Sequence, residues 1–290
     1  MSTIKINDQF VDEAFSPIIE EALFAESVFV PNVTYTPKYQ EIAGKIYVHK
    51  QVKGAVTAGA PGRDFSGVKT ATTLVEILAD QNFMKERKMY QVEINSIKFD
   101  NAASNYTLTT KEIAEGRERV ALAKMALGST DAADTTALTS ENIKSKFLGL
   151  RKAVRKNKAR ADFAIVSPDV YTLILGDTTN YTPIHNENLM ANGMVGKYYG
   201  IPIFESNALD NETLGFNGTE NTHDLTAIDI IMGQNDGFAI FDNLVAARLI
   251  PADDFVGLRA QVEMNSGFKV VNSDKLIAKF NDTFVTEPEA

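Results

Sequence analysis

Cysteine is absent from all 290 residues, which excludes disulfides, a thiol nucleophile and a thiolate metal site, and suits a reducing cytoplasm. Histidine is nearly as scarce. His49, His185 and His223 lie far apart in polar settings. A zinc ion would need carboxylates beside them, and no spacing supplies these. No apolar run approaches the roughly 18–20 residues needed to cross a membrane. The opening MSTIKINDQF lacks the basic-then-apolar pattern of a signal peptide. The expectation is a protein soluble when made, with any oligomer built in the cytoplasm. Its net charge of −9 argues against a nucleic-acid binder over its whole surface.

Motifs for catalysis are also missing. Gly62–Thr70, GRDFSGVKT, nearly matches a phosphate-binding loop, but Val68 separates Gly67 from Lys69 and moves the lysine away from the phosphates. There is no GxSxG elbow and no recognisable serine, histidine and aspartate group. Asp210–Gly215 begins like a calcium loop, yet Leu214 stands where an oxygen ligand belongs and Asn221 replaces the closing glutamate. Paired carboxylates such as Glu20-Glu21 and Asp253-Asp254 are too common to signal acid–base catalysis. The expectation is no catalytic residue, no cofactor and no metal.

What is present is an order of elements. Pro17, Pro31 and Pro37 divide the first forty residues, which read as an ordinary strand with loops or as an arm packed on a neighbouring subunit. Lys45–Lys53 reads as a strand, followed by a glycine-rich loop, GAVTAGAPGRDFSG. Ala71–Asn82 is expected to form a short helix through Leu74, Val75, Ile77 and Leu78, and Tyr90–Phe99 a second strand. Thr109 with Glu112 makes a capping box for a helix ending at Gly128. Ser140 is expected to cap a helix reaching Ala159, about 30 Å long at 1.5 Å per residue. Its apolar stripe is Ile143, Phe147, Leu150 and Val154. Its basic face, Lys144, Arg151, Lys152, Arg155, Lys156, Lys158 and Arg160, has no interleaved aromatics and no base-reading motif. That face reads as solvated or as a contact with acidic groups such as Glu20, Glu21 or Asp253 of another copy.

Downstream, Phe163–Val166 is a short strand, and Ser167-Pro168-Asp169 opens a helix with serine as cap. Gly193–Leu209, GMVGKYYGIPIFESNAL, reads as a glycine-rich approach, a tight turn at Tyr199-Gly200 and a buried strand. Pro202 has no amide donor, so that strand should lie at a sheet edge or begin there. Asn207–Asp224 is turn-rich and reads as an exposed insertion. Ala227–Met232 is a buried strand, Asn235-Asp236-Gly237 a turn and Leu244–Ile250 another strand. Leu258–Val271 passes through Asn265-Ser266-Gly267 into FKVV, and Phe284–Ala290 reads as a loose tail.

This series resembles the major capsid proteins of tailed bacteriophages with the Hong Kong 97 fold. Three stretches carry the likeness: Val166-Ser167-Pro168-Asp169 with Tyr171; Gly196 with Gly200-Ile201-Pro202-Ile203; and Gly267, Val270-Val271 and Ser273–Ala278. Serine stands at 273 where the family tends to have proline. The resemblance implies an α+β fold with an N-terminal arm (1–44), an extended β-hairpin loop (45–99), a peripheral domain with the long spine helix (100–161 and 259–290) and an axial domain (162–258). Contacts between copies are then expected at Phe10 and Phe15 of the arm, Lys53, Arg63, Asp64 and Phe65 of the loop, Arg151, Arg155 and Lys158 of the basic helix, and Tyr198 and Tyr199. The implied partners are the chain itself as pentamers and hexamers, a separate scaffolding protein, a portal, and packaged double-stranded DNA without sequence-specific contact, with no membrane. The implied location is the virion, assembled in the bacterial host cytoplasm. The same fold also suits an encapsulin-type nanocompartment housing cargo enzymes. An α/β enzyme with a glycine-rich substrate loop at Thr57–Gly67 is the reading from another class.

Overall fold

A computed structural model describes residues 45–51, 72–90, 101–132, 134–183, 194–211, 213–215 and 222–281. The expectations for the N-terminal arm, for the loop including the near phosphate-binding motif, for residues 91–99, for His185 and for the tail lie outside these residues.

β1 (Lys45–Gln51) and β2 (Thr72–Leu78) form an antiparallel two-stranded ladder. The helix expected at 71–82 is therefore strand. Thr72, Thr73, Val75 and Ile77 are β-branched, and period-two burial puts Ile77 with Ile46 and Val48 on one face. That face rests on Ala239, Phe241 and Val271. β3 (Gln81–Tyr90) follows.

α1 (Asn101–Gly128) is the longest helix among the described residues, 28 residues or about 42 Å. It corrects two expectations. Thr109 lies inside the helix rather than at its cap, and α1 exceeds the 140–159 segment as the long helix. Gly128 ends it as expected. β4 (Thr130–Asp131) leads to α2 (Ile143–Lys156). Ser140 stands in a turn before α2 and does not cap it. Asn142 occupies that place, and its side chain folds back, Nδ2 donating to the Ala137 carbonyl at 2.9 Å and Oδ1 accepting from the Thr139 amide at 2.8 Å. The stripe Ile143, Phe147, Leu150 and Val154 is buried as its spacing requires.

β5 (Phe163–Val166) and α3 (Pro168–Gly176) match the sequence reading, with Ser167 in extended backbone accepting from the Val170 amide. Then come β6 (Tyr181–Pro183), β7 (Met194–Tyr198), β8 (Ile201–Glu205), the short helix α4 (Ala208–Asn211), β9 (Thr213–Gly215) and β10 (Thr222–Asp224). β11 (Ile228–Gly233), β12 (Phe238–Pro251), β13 (Gly257–Val270) and β14 (Leu276–Phe280) complete the described chain.

Two larger sheets organise these strands. One has the order β4-β14-β11-β5-β8-β7-β6, the other β12-β13-β3. Alternation along β5 shows how the first sheet is covered on both faces. Phe163 and Ile165 join Phe204, Ile231 and Leu276 against Val120–Ala123 and Met125 of α1. Ala164 and Val166 join Ile203, Ile230 and Met232 under the α2 stripe and under Val170 and Ile174 of α3. The helix at 143–156 thus lies on the sheet that holds β5, β8, β11 and β14.

β8 lies between β5 and β7 rather than at an edge, and Pro202 stands at its beginning, the other place the sequence reading allows. The missing donor is accommodated by register. Tyr198 and Ile201 flank the turn, so Lys197↔Pro202 is the next, non-hydrogen-bonded pair, and the ladder to β5 starts only at Ile203. β13 runs through Asn265–Gly267 as the sequence reading has it. The strand is continuous, and a Cβ at Gly267 would collide with the Leu78 carbonyl. The glycine admits a neighbouring backbone rather than making a turn.

A bulge in β11 between Ile228 and Ile230 lets Asp229 reach Lys279 of β14 inside the protein. Lys279 Nζ donates to Asp229 Oδ2 at 3.0 Å, to the Thr136 carbonyl at 2.8 Å and to the Phe280 carbonyl at 3.1 Å. Burial pushes the Asp229 carboxyl above the ordinary aspartate range, against the pull of Lys279. Removing one partner leaves the other charge buried and alone. Asp229→Asn or Lys279→Met should therefore lose about 3–5 kcal/mol by urea denaturation, and the pair Asp229→Leu with Lys279→Met should lose much less. Equal losses in single and double variants would show that the pair is not coupled.

Candidate assembly surfaces

The turn between β7 and β8 is built by backbone conformation. Tyr199 and Gly200 have φ of 49° and 76°, the pair of positive values required by a two-residue hairpin turn of type I′. Gly200 takes this without strain, whereas Tyr199 does not. Arg151 of α2 braces the turn, its Nη1 donating to the Tyr199 carbonyl at 3.3 Å. Arg151 and Tyr199 are thus brought together, as two of the expected contact residues. Tyr198 is corrected. Its ring is fully buried against Phe147 and Tyr199, and its hydroxyl donates to Asp177 Oδ2 at 2.9 Å. It supports the hairpin from within and offers nothing to a neighbour.

Behind the hairpin, the Tyr181 hydroxyl donates to the Val195 carbonyl at 2.7 Å and lies 3.0 Å from the Tyr171 hydroxyl. The Tyr181 ring fills the space that a Cβ at Gly196 would occupy. Burial holds both the Tyr181 and Tyr198 hydroxyls above the ordinary tyrosine range. Asp177 also accepts from Asn180 Nδ2 at 2.9 and 3.0 Å. The Asn180 amide, with the Tyr198 hydroxyl, holds its carboxyl below the usual range. Burial alone raises Glu205, at the far end of β8. The sequence reading names Tyr171 only within a motif and misses Tyr181, whose partners lie across unrelated elements.

Of the remaining expected contact residues, Arg155 and Lys158 are exposed, and Phe10, Phe15, Lys53, Arg63, Asp64 and Phe65 lie outside the described residues. Lys158 has a φ of 59°. The Ala159 amide donates to the Val154 carbonyl at 3.3 Å and the Lys158 amide to the Arg155 carbonyl at 2.9 Å. These bonds form a Schellman cap, whose left-handed position ordinarily holds glycine.

The far end of the β12–β13 hairpin is a charged surface. Arg259 is paired with Asp254 and with Glu86 of β3, and Lys88 with Asp254. Lys88 and Arg259 lie 5.6 and 5.8 Å from the Phe255 ring centroid, and Tyr90 packs beside it. Val256 stands exposed beside Phe255 in the chain. Deeper in the protein, Arg117 of α1 donates through Nε and Nη2 to the two carboxylate oxygens of Asp242 of β12, which also accepts from Ser266 of β13 at 2.6 Å. The adjacent Glu118 accepts from Ser206, just past β8. Neighbouring side chains of one helix therefore hold the two sheets. Among the described residues, no three histidine, aspartate or glutamate side chains converge to hold a metal ion. No described helix is long and apolar enough to cross a membrane.

No protein-family model and no curated protein matches the sequence. Solved structures do match. The capsid structure of cyanophage P-SCSP1u aligns with a TM-score of 0.58 at 14% identity, covering 88% of this chain and 86% of that one. The mature capsid of bacteriophage PhiM1 aligns at 0.56 and 16% identity, covering 88% and 86%. The capsid of the empty GTA particle aligns at 0.57 and 13%, covering 88% and 90%. The chain has the α+β fold of phage capsid subunits, the Hong Kong 97 type.

Two outcomes follow from the local geometry. Asp177 has its pKa lowered in the folded state, so its contribution is present above the unfolded value of about 3.9 and is lost as pH falls through the folded one. Acid titration of stability should show this loss below about pH 4, and Asp177→Asn should flatten that limb. An unchanged limb would remove Asp177 from the account. Lys158→Gly should raise stability by about 1 kcal/mol by relieving the left-handed conformation. A lower melting temperature would contradict the strain.

Proposed function

We propose that this chain is a major capsid protein that self-assembles into the icosahedral head shell of a tailed bacteriophage around double-stranded DNA. The observation carrying this reading is the reciprocal extent of the structural match. About nine-tenths of this chain and of the capsid chains align, so the likeness embraces the whole subunit rather than one shared motif. The separate β1–β2 ladder and the long α1 between two sheets fit a subunit whose work lies in interfaces rather than in catalysis.

In this reading residues 1–44 form an arm and 45–99 the loop that overlaps a neighbour. α1 with β12 and β13 forms the peripheral unit, onto which β3 of the loop region pairs, and the seven-stranded sheet with α2 and α3 forms the axial unit of pentamers and hexamers. Phe10, Phe15, Lys53, Arg63, Asp64 and Phe65 contact neighbours through the arm and loop. The Tyr199 turn, braced by Arg151, serves axial contacts. Interfaces of this kind bury areas typical of obligate assemblies. A separate scaffolding protein and a portal complete the head, which is assembled in the host cytoplasm and remains in the virion.

Electron microscopy of the purified product should reveal closed shells or capsomers, and particles recovered from cells should hold nuclease-protected double-stranded DNA. Protein cargo in place of DNA would assign the shell to a nanocompartment. Monomers alone across salt and pH would contradict both shell roles.

A further inference from the structure

We propose that the exposed cations at the C-terminal end of α2, Lys152, Arg155, Lys156 and Lys158, form the surface through which this chain contacts the phosphate backbone of duplex DNA. The inference rests on the capsid reading for its biological setting, and the tests below separate the two. Four observations converge on it.

The first is charge. From Ile143 to Ala161 the chain has eight cations, Lys144, Lys146, Arg151, Lys152, Arg155, Lys156, Lys158 and Arg160, and no acidic residue, although the whole protein carries −9. The fold assigns internal roles to some of them. Lys146 pairs with Asp134, Arg160 with Asp162, Arg151 holds the Tyr199 carbonyl, and Lys144 acts on Asp177. Lys152, Arg155, Lys156 and Lys158 are exposed and have no ion pair among the described residues.

The second is backbone strain. Arg155 and Lys156 in the last turn suit the helix dipole, but that account does not explain a lysine at 158. Its φ of 59° is a position where glycine would be more stable, and strain of this kind is retained where the side chain is used.

The third is access. Gly149 lies inside α2, three residues before Lys152, and a Cβ there would meet nothing within 4 Å. A glycine within a helix lowers stability relative to alanine, and no packing contact requires it here. What it leaves is a bare patch of helix beside the cations, where a polymer backbone can approach closely.

The fourth concerns the alternative partner. Many acidic groups on the described surface are already paired with cations of the same chain. Glu86 and Asp254 pair with Arg259, Asp80 with Lys124, and Asp236 with Lys275. Duplex DNA, by contrast, presents a continuous row of phosphates. The absence of interleaved aromatics fits backbone contact without base reading.

The test is fluorescence anisotropy of the full chain with a short labelled duplex of mixed sequence. Four phosphate contacts predict a log–log salt slope near −3.6, about a hundredfold weakening between about 50 and 200 mM salt. Changing all four residues to Gln should remove most of that slope, while Lys88→Gln and Lys45→Gln should leave it unchanged. Lys158→Gly and Gly149→Gln provide variants that do not weaken the fold. The first should reduce the slope by about 0.9 while raising the melting temperature, and the second should weaken binding without unfolding. Wild-type duplex affinity in the fourfold variant would overturn the inference. Shells that assemble normally from that variant would then leave the capsid reading standing. If the fourfold variant binds duplex normally but no longer forms capsomers, the ridge is an interface between copies. If the wild type forms no shells at all, the capsid reading falls, and the duplex affinities still decide the ridge.

Discussion

The structure depends on α1 being buried on more than one side at once. From Val120 to Ala126 nearly every side chain is removed from solvent, packed between the seven-stranded sheet and the β12-β13-β3 sheet. A helix in that position cannot use a single apolar stripe. It uses small residues, Ala121, Ala123 and Ala126, where a sheet comes close, and larger ones, Leu122 and Met125, where space remains. Just before this stretch Arg117 and Glu118 reach in different directions, one to Asp242 and the other to Ser206. Apolar contact supplies the attraction, and these two polar contacts fix how the sheets are set along the helix.

That arrangement explains which parts of the fold were legible in the sequence. α2 lies on one sheet with its opposite face in water, so Ile143, Phe147, Leu150 and Val154 could be read directly as its buried stripe. α1 has no such asymmetry, and its first turns contain Asn101, Ser104 and Asn105, so the sequence pattern starts it too late and makes α2 the longer helix. Burial on both sides likewise made β5 and β11 plain as short apolar runs. The β2 segment failed for the opposite reason. Leu74, Val75, Ile77 and Leu78 satisfy helical spacing, and only the pairing of Ile77 with Ile46 and of Val75 with Val48 decides for strand.

The contact surfaces were legible in part. The Tyr199-Gly200 turn followed from local chemistry, because a glycine beside a short apolar strand marks a tight reversal. The fate of Tyr198 did not, since neighbouring residues in a strand point to opposite faces and the sequence does not say which face is covered. Lys279 and Asp229 did leave a signal, one charge of each sign in two otherwise apolar strands. The roles of Gly196 and Gly267 lie in contacts with Tyr181 and Leu78, distant in sequence, which no local pattern encodes.

In the proposed capsid role the work of the subunit lies in repetition, and its exposed turn and basic ridge are features that a lattice of copies would place at recurring positions. The most direct measurement is the mass distribution of the purified full-length chain by mass photometry over a range of salt and pH. The capsid account predicts one sharp population in the megadalton range at an integer multiple of the chain mass, together with smaller capsomers as conditions are varied. A single species at the mass of one chain under every condition would contradict it.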